Sequence, residues 1–209
     1  MKHSLFCAIT TALFHKNTCI FIKNLTDMIE FAQDACSNYQ HRTFLNIELS
    51  EATLVFAVDL TTPGEKCTKN YASVCEKKLF SFVIGENGRL DNSNRGVLSS
   101  ALEYIKNNNI TILNIAGNGI YTFSAHGITQ QRVNELVYNV LKYLIDNGCN
   151  LKKVRSGGQT GADEAGLVAG DKLGLETVSF CPKGWRFRTA DGKDVKSEEL
   201  YKARFKVEG

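Results

Sequence analysis

The sequence has little proline. Pro63 and Pro182 are the only two among 209 residues, so no proline-rich linker divides the chain. No apolar run approaches the roughly 18 residues that a membrane-spanning helix needs. Charge of one sign is also missing: 25 Lys and Arg against 22 Asp and Glu leave a formal +3. That excess is too mild to point to nucleic acid as a partner. The seven cysteines (Cys7, Cys19, Cys36, Cys67, Cys75, Cys149 and Cys181) contain no Cys-x-x-Cys pair. Their spacing fits neither a zinc ribbon nor a thioredoxin motif. The four histidines, His3, His15, His41 and His126, lack metal-ligand spacing. The expectation is therefore a cytoplasmic protein with reduced thiols and no metal or other cofactor.

What is present is an ordinary globular composition, 43% hydrophobic and 22% charged. A chain of this length buries a full core without disulfide or metal staples. It reads as one domain over 1–209, with an N-terminal half over 1–100 and a ligand-binding half over 101–209. The apolar run 5–14 follows Lys2 but lacks a small-x-small cleavage site. It reads as a buried strand or helix rather than a signal peptide.

Helical spacing of Leu25, Met28, Ile29, Ala32, Ala35 and Cys36 predicts a helix over 24–39, with Asp27 and Glu30 as a capping box. Phe44, Ile47 and Leu49 suggest a strand. The apolar run 53–60 predicts a buried strand, closed by a turn at Thr62-Pro63-Gly64. Strands are expected at 79–84, 111–116, 152–155 and 175–180. Helices are expected at 94–106, 129–146 and 162–173, the middle one with a clear apolar stripe. This alternation predicts an α/β fold: a Rossmann-like parallel sheet flanked by helices, with an N-terminal α/β extension.

Two glycine-rich turns follow strands of that sheet, Gly117-Asn118-Gly119 and Gly157-Gly158-Gln159-Thr160-Gly161. Ligands of open parallel sheets bind beyond the carboxyl ends of the strands, so both turns belong on one rim. Main-chain amides opening the helix at 162 would form a ready-made anion site, with Thr160 and Gln159 adding side-chain donors. No Gly-Lys-Ser/Thr follows, so this is not a P-loop, and the G-x-G-x-x-G spacing is absent too.

The run Ser156-Gly157-Gly158-Gln159-Thr160-Gly161-Ala162-Asp163, followed by Cys181-Pro182-Lys183-Gly184, resembles the SLOG superfamily, and within it the branch named for molybdenum carriage. The likeness spans about residues 150–190 and, less specifically, the unit from about 110. It implies a Rossmann-like fold that binds a nucleotide or nucleotide-derived ligand, commonly as a homo-oligomer of two or more copies. Glu164 stands where that branch carries Arg. The phosphoribohydrolase signature P-G-G-x-G-T is absent, and residues 1–100 match nothing in the pattern.

Several residues carry two readings. Asp163 would bind ribose hydroxyls, act as a base, or simply complement the helix dipole. Glu164 is the other acid/base candidate. Lys183 would meet a phosphate, and Arg155 would clamp one or form an ion pair. Tyr121 and Trp185 would each stack on a ring or pack into the protein, and Asn118 would orient a ribose or an amide. Asp59 and Glu65 flank a turn that follows a strand and would reach the rim. His126 reads as a surface residue and Cys181 as a packed thiol.

The functional expectation is a protein that senses or sequesters a phosphorylated, nucleotide-derived ligand. The resemblance suggests an ADP-ribose derivative or a cyclic relative. In a protein of viral origin this would be an anti-defence sponge acting in the host cytoplasm. The alternatives are a nucleotide N-glycosidase or phosphohydrolase, and an interaction protein whose loops merely turn corners. Neither membrane nor nucleic acid is an expected partner.

Overall fold

The computed structural model describes residues 29–36, 39–85 and 88–205, together with the backbone of 21–22. The expectation for 5–14 and the cap at Asp27 lie outside these residues. Nine strands are described. β1 is Phe21–Ile22, β2 Ile29–Gln33, β3 Ala52–Ala57, β4 Lys78–Val83, β5 Ile112–Gly117, β6 Lys153–Ser156, β7 Glu176–Cys181, β8 Arg186–Arg188 and β9 Asp194–Lys196. The helices are α1 Tyr39–Glu48, α2 Pro63–Val74, α3 Asn94–Asn107, α4 Ile120–Ala125, α5 Gln130–Asp146, α6 Ala162–Lys172 and α7 Glu198–Ala203.

Six strands form a parallel sheet in the order β2-β7-β6-β5-β3-β4, with β1 antiparallel on the outer edge of β2. The fold is the expected Rossmann-like α/β sheet. Its first full strand, β2, lies beside its last, β7, in register from Ile29 opposite Thr177 to Gln33 opposite Cys181. Right-handed crossovers carry the chain out from β3 to β4 and back past β3 to β5. They place α1 and α2 on one face and α3, α5 and α6 on the other. In keeping with this, α1 packs on α2 and α5 on α6.

The main core fills the second face. Leu54, Phe56 and Phe82 from the sheet meet Leu113, Ile115 and the α5 stripe of Val133, Val137, Leu141 and Leu144. Thr129 caps α5 by accepting the Arg132 N–H at 3.2 Å. Helix α6 lies close on the sheet because Gly166 has no side chain where a Cβ would stand 2.5 Å from that of Ile115. A second core gathers Phe31, Leu167, Phe187, Tyr201 and Phe205 around the C-terminal segment.

Two N-terminal expectations are corrected. Residues 29–33 form a strand, not part of a helix over 24–39, because parallel pairing with β7 outweighs the helical spacing of Ile29 and Ala32. Phe44 and Ile47 lie on α1, not on a strand. Their separation of three residues suits one helical turn and breaks the alternation that a strand requires. Pro63 begins a helix that the turn reading overlooked, since proline fits the first helical turn. The first hundred residues therefore supply half of the parallel strands and the helix α1 that faces the rim.

Candidate functional site

The carboxyl ends of β2, β5, β6 and β7 open into a cleft of about 520 Å³. One wall comes from the start of α1 (Tyr39, Arg42) and from Asp34 and Cys36 beyond β2. The opposite wall comes from Gly117, Gly119, Tyr121 and Thr122. Gln159, Thr160 and Asp163 stand between them, and Lys183 with the β8–β9 hairpin (Arg186, Arg188, Asp194, Lys196) forms the rim. Its size and its place at the strand ends suit a small-molecule site.

The lining carries five basic side chains against three carboxyl groups. Asp34 is buried and accepts from His41 Nδ1 at 2.9 Å and from the Cys36 N–H at 2.8 Å. Asp194 is shared by Arg186 and Arg188, whose hydrogen bonds hold its carboxyl down at about 2. Asp163 is the reverse case: burial pushes its carboxyl up, against the lowering effects of Arg42 and the Gln159 N–H. The cleft therefore holds an excess of positive charge.

The start of α6 does not present a free ring of amides. The Gly161 N–H donates to Gln130 Oε1 at 2.6 Å and the Ala162 N–H to the Asn118 carbonyl at 3.0 Å. The Glu164 N–H goes to the Gln159 carbonyl at 2.9 Å, and the Gln159 N–H to Asp163 Oδ2 at 3.3 Å. Four of the amides expected to cradle an anion are thus taken by the protein's own oxygens. The loop is packed between α4, α5 and the C-terminal segment, where an unpaired amide would be costly.

The sequence-predicted residues divide accordingly. Gly117, Gly119, Tyr121, Gln159, Thr160, Asp163 and Lys183 all line the cleft. Tyr121 is 53% exposed, so a ring face remains open to a ligand. Gln159 Nε2 and Thr160 Oγ1 donate to the carbonyls of Arg186 and Arg188 at 2.8 and 2.5 Å, fastening the hairpin to the loop. Gly157 is buried beside the cleft, and a Cβ there would lie 2.5 Å from Asp163 Oδ2 and 3.1 Å from Arg42 Cζ.

The others face elsewhere. Asn118 is 2% exposed and ties two loops together: its Oδ1 accepts the Val58 and Asp59 N–H groups, and its Nδ2 donates to the Asp59 carbonyl. Ser156 is buried, with its hydroxyl on the Ile115 carbonyl at 2.7 Å. Gly158 has φ +67°, and a Cβ there would overlap the Tyr201 hydroxyl. Gly161, at φ +86°, abuts the Asn118 carbonyl. Arg155 lies within β6, opposite Asn114 and Val178 in register, and is not part of the cleft lining. Trp185 packs edge-on against Phe31 and Tyr201, with the Lys202 ammonium 4.9 Å from its ring centre. Glu164 pairs with Arg204 at 2.6 Å, and Arg204 also donates to the Gly158 carbonyl at 2.8 Å.

The site residues that sequence reasoning missed are chiefly Arg42, Asp34 and the hairpin cations. Arg42 is 2% exposed. Its Nη1 donates to the Gly157 carbonyl at 2.7 Å, its guanidinium lies 4.7 Å from the Tyr39 ring centre, and its Nε has no partner. The arginine at position 42 was hidden by the wrong element assignment for 39–48.

Among the described residues, no group of three or more His, Cys, Asp or Glu stands close enough to hold a metal, and no helix is long and apolar enough to cross a membrane. The family described as the circularly permutated YpsA SLOG family matches residues 24–141. This match takes in residues 24–100, where the motif likeness found nothing, and stops short of the Ser156–Asp163 loop. It does not carry the assignment to the molybdenum-carrier branch. No curated protein and no solved structure matches the chain.

Proposed function

The chain belongs to the circularly permutated YpsA SLOG family, and on that premise we propose that it captures a phosphorylated, nucleotide-derived ligand of the ADP-ribose class. One observation carries this reading: a nucleotide-sized cleft at the strand ends is lined by Arg42, Lys183, Arg186, Arg188 and Lys196. Phosphate groups lie along the Lys183 and hairpin rim, where guanidinium forks meet their oxygens in pairs. The exposed ring of Tyr121 covers a base on the opposite wall. The missing side chain of Gly119 leaves open space for the ligand beside Thr160, whereas Gly117 lacks one because a Cβ there would strike the Phe56 carbonyl. Both acids that the sequence offers for catalysis are engaged within the protein, Asp163 with the Gln159 N–H and Glu164 with Arg204, which favours holding the ligand over cleaving it.

A hydrolase is the second reading, and one observation favours it. Asp163 lines the cleft with its carboxyl pushed up by burial, the state that a general acid requires. One experiment separates the two. The protein is incubated with ADP-ribose, freed of unbound ligand and heat-denatured, and the supernatant is analysed. Intact ADP-ribose supports capture, whereas AMP, ribose 5-phosphate or free base supports hydrolysis. Recovery of neither ligand nor product overturns both readings.

A further inference from the structure

Behind the cleft lies a small annex of about 20 Å³ between α1, α2 and β5. It shares Tyr39, Arg42, Gly117 and Asp163 with the cleft, so the two spaces adjoin. Its other walls include Asn46, Glu65 and Thr68. Two buried polar atoms of the annex residues have no hydrogen-bond partner: the Nε–H donor of Arg42 and the Oδ1 acceptor of Asn46. These side chains belong to residues 2% and 3% exposed. An orphaned buried donor or acceptor is costly, so the pair marks a place for a guest.

The chemistry of the walls selects that guest. It must accept from Arg42 and donate to Asn46 at once, which a hydroxyl does. A cation is opposed by the Arg42 guanidinium. A phosphate is too large for the space and would meet Asp163 and Glu65. We propose that the annex is a hydroxyl-recognition subsite, which makes the preferred ligand a sugar phosphate: one sugar hydroxyl enters between Arg42 and Asn46 while the phosphate stays at the Lys183 and hairpin rim. This deepens the capture reading above and rests on it. Water takes the place when no ligand is bound, since the volume holds about one molecule. Burial also pushes the carboxyls of Glu65 and Asp163 up, the mark of a poorly solvated space in which a charged guest is costly.

The test compares ribose 5-phosphate with inorganic phosphate by titration calorimetry on the wild-type protein and on Asn46→Leu. In the wild type, ribose 5-phosphate binds at least tenfold tighter than phosphate. Asn46→Leu fills the annex with an apolar group and brings that ratio to within about twofold. Should the leucine prevent folding, Asn46→Ala removes the same acceptor and gives the same collapse of the ratio. A wild-type ratio near one, or a ratio that survives in a folded Asn46 variant, overturns the subsite while leaving phosphate capture standing. If neither probe binds the wild type, the capture reading itself fails, and the subsite with it.

Discussion

The carboxyl group of Asp163 accepts the main-chain N–H of Gln159 at 3.3 Å, so the loop expected to hold an external anion closes onto an acid of the protein itself. The glycine at position 157 makes room for it, because any Cβ there would press on Asp163 Oδ2. The positive surface left for a ligand has shifted outward, to Lys183, the hairpin arginines and Lys196.

That arrangement sets a pH dependence of stability. Burial raises the Asp163 carboxyl above its ordinary value. The folded protein therefore keeps this proton where the unfolded chain has released it. The contribution is complete below about pH 4 and is lost as pH rises through the raised folded-state value. Asp163→Asn keeps an acceptor for Gln159 and removes the titration. Thermal melts across this range should show a shallower fall in Tm with rising pH for the variant. Parallel profiles would show that Asp163 does not titrate this way.

Gly158 faces the C-terminal core and not the cleft. A Cβ at this position overlaps the Tyr201 hydroxyl and forces a side chain onto a φ of +67°. Gly158→Ala should cost about 3 kcal/mol in urea unfolding, and Gly158→Glu should fail to fold rather than fold without binding. A folded Gly158→Glu protein that has lost only its ligand would place this glycine back on the cleft.

Glu164 and Arg204 form a buried pair, 8% and 13% exposed at their side chains. Arg204→Met strands the carboxylate, and loss of one partner of such a pair costs about 3–5 kcal/mol. Below its lowered melting point, the variant should bind ADP-ribose as the wild type does. A loss of affinity without a loss of stability would give Glu164 the functional role that its sequence position suggested.

Asp194 competes with any phosphate for Arg186 and Arg188. Its carboxyl sits at about 2, so the competition persists at every ordinary pH. Asp194→Asn should strengthen ADP-ribose binding about threefold at low salt, with the gain shrinking as salt rises. Weaker binding would mean that Asp194 orients the two arginines instead of occupying them.

The second half of the chain was legible because its signals are local. The α5 stripe and the apolar runs of β5 and β7 each point to one element, and the structure holds them within a residue or two of their expected ends. Residues 29–49 were not legible for the opposite reason. β2 is defined by its pairing with β7, nearly 150 residues away in sequence, and local spacing cannot report such a partner. The site followed the same division. Gly117, Thr160, Asp163 and Lys183 were readable from turns beside strong elements, whereas Asp59 and Glu65, expected at the rim, are not part of the cleft lining. Arg42 and Arg186 depend on which way α1 and the hairpin pack. The glycine loop was read as open because its composition suits an anion nest, whereas Gln130 and Asn118 from two other segments, and Asp163 from its own helix, take up its amides.

Titration of ADP-ribose into the wild-type protein and into a Lys183→Ala, Arg186→Ala double variant tests the central claim most directly, because both residues are exposed and carry little of the fold. The account predicts saturable one-site binding in the wild type, an affinity at least tenfold weaker in the double variant, and a binding constant that falls with salt. Equal affinities in the two proteins, or no binding heat in the wild type, would contradict it.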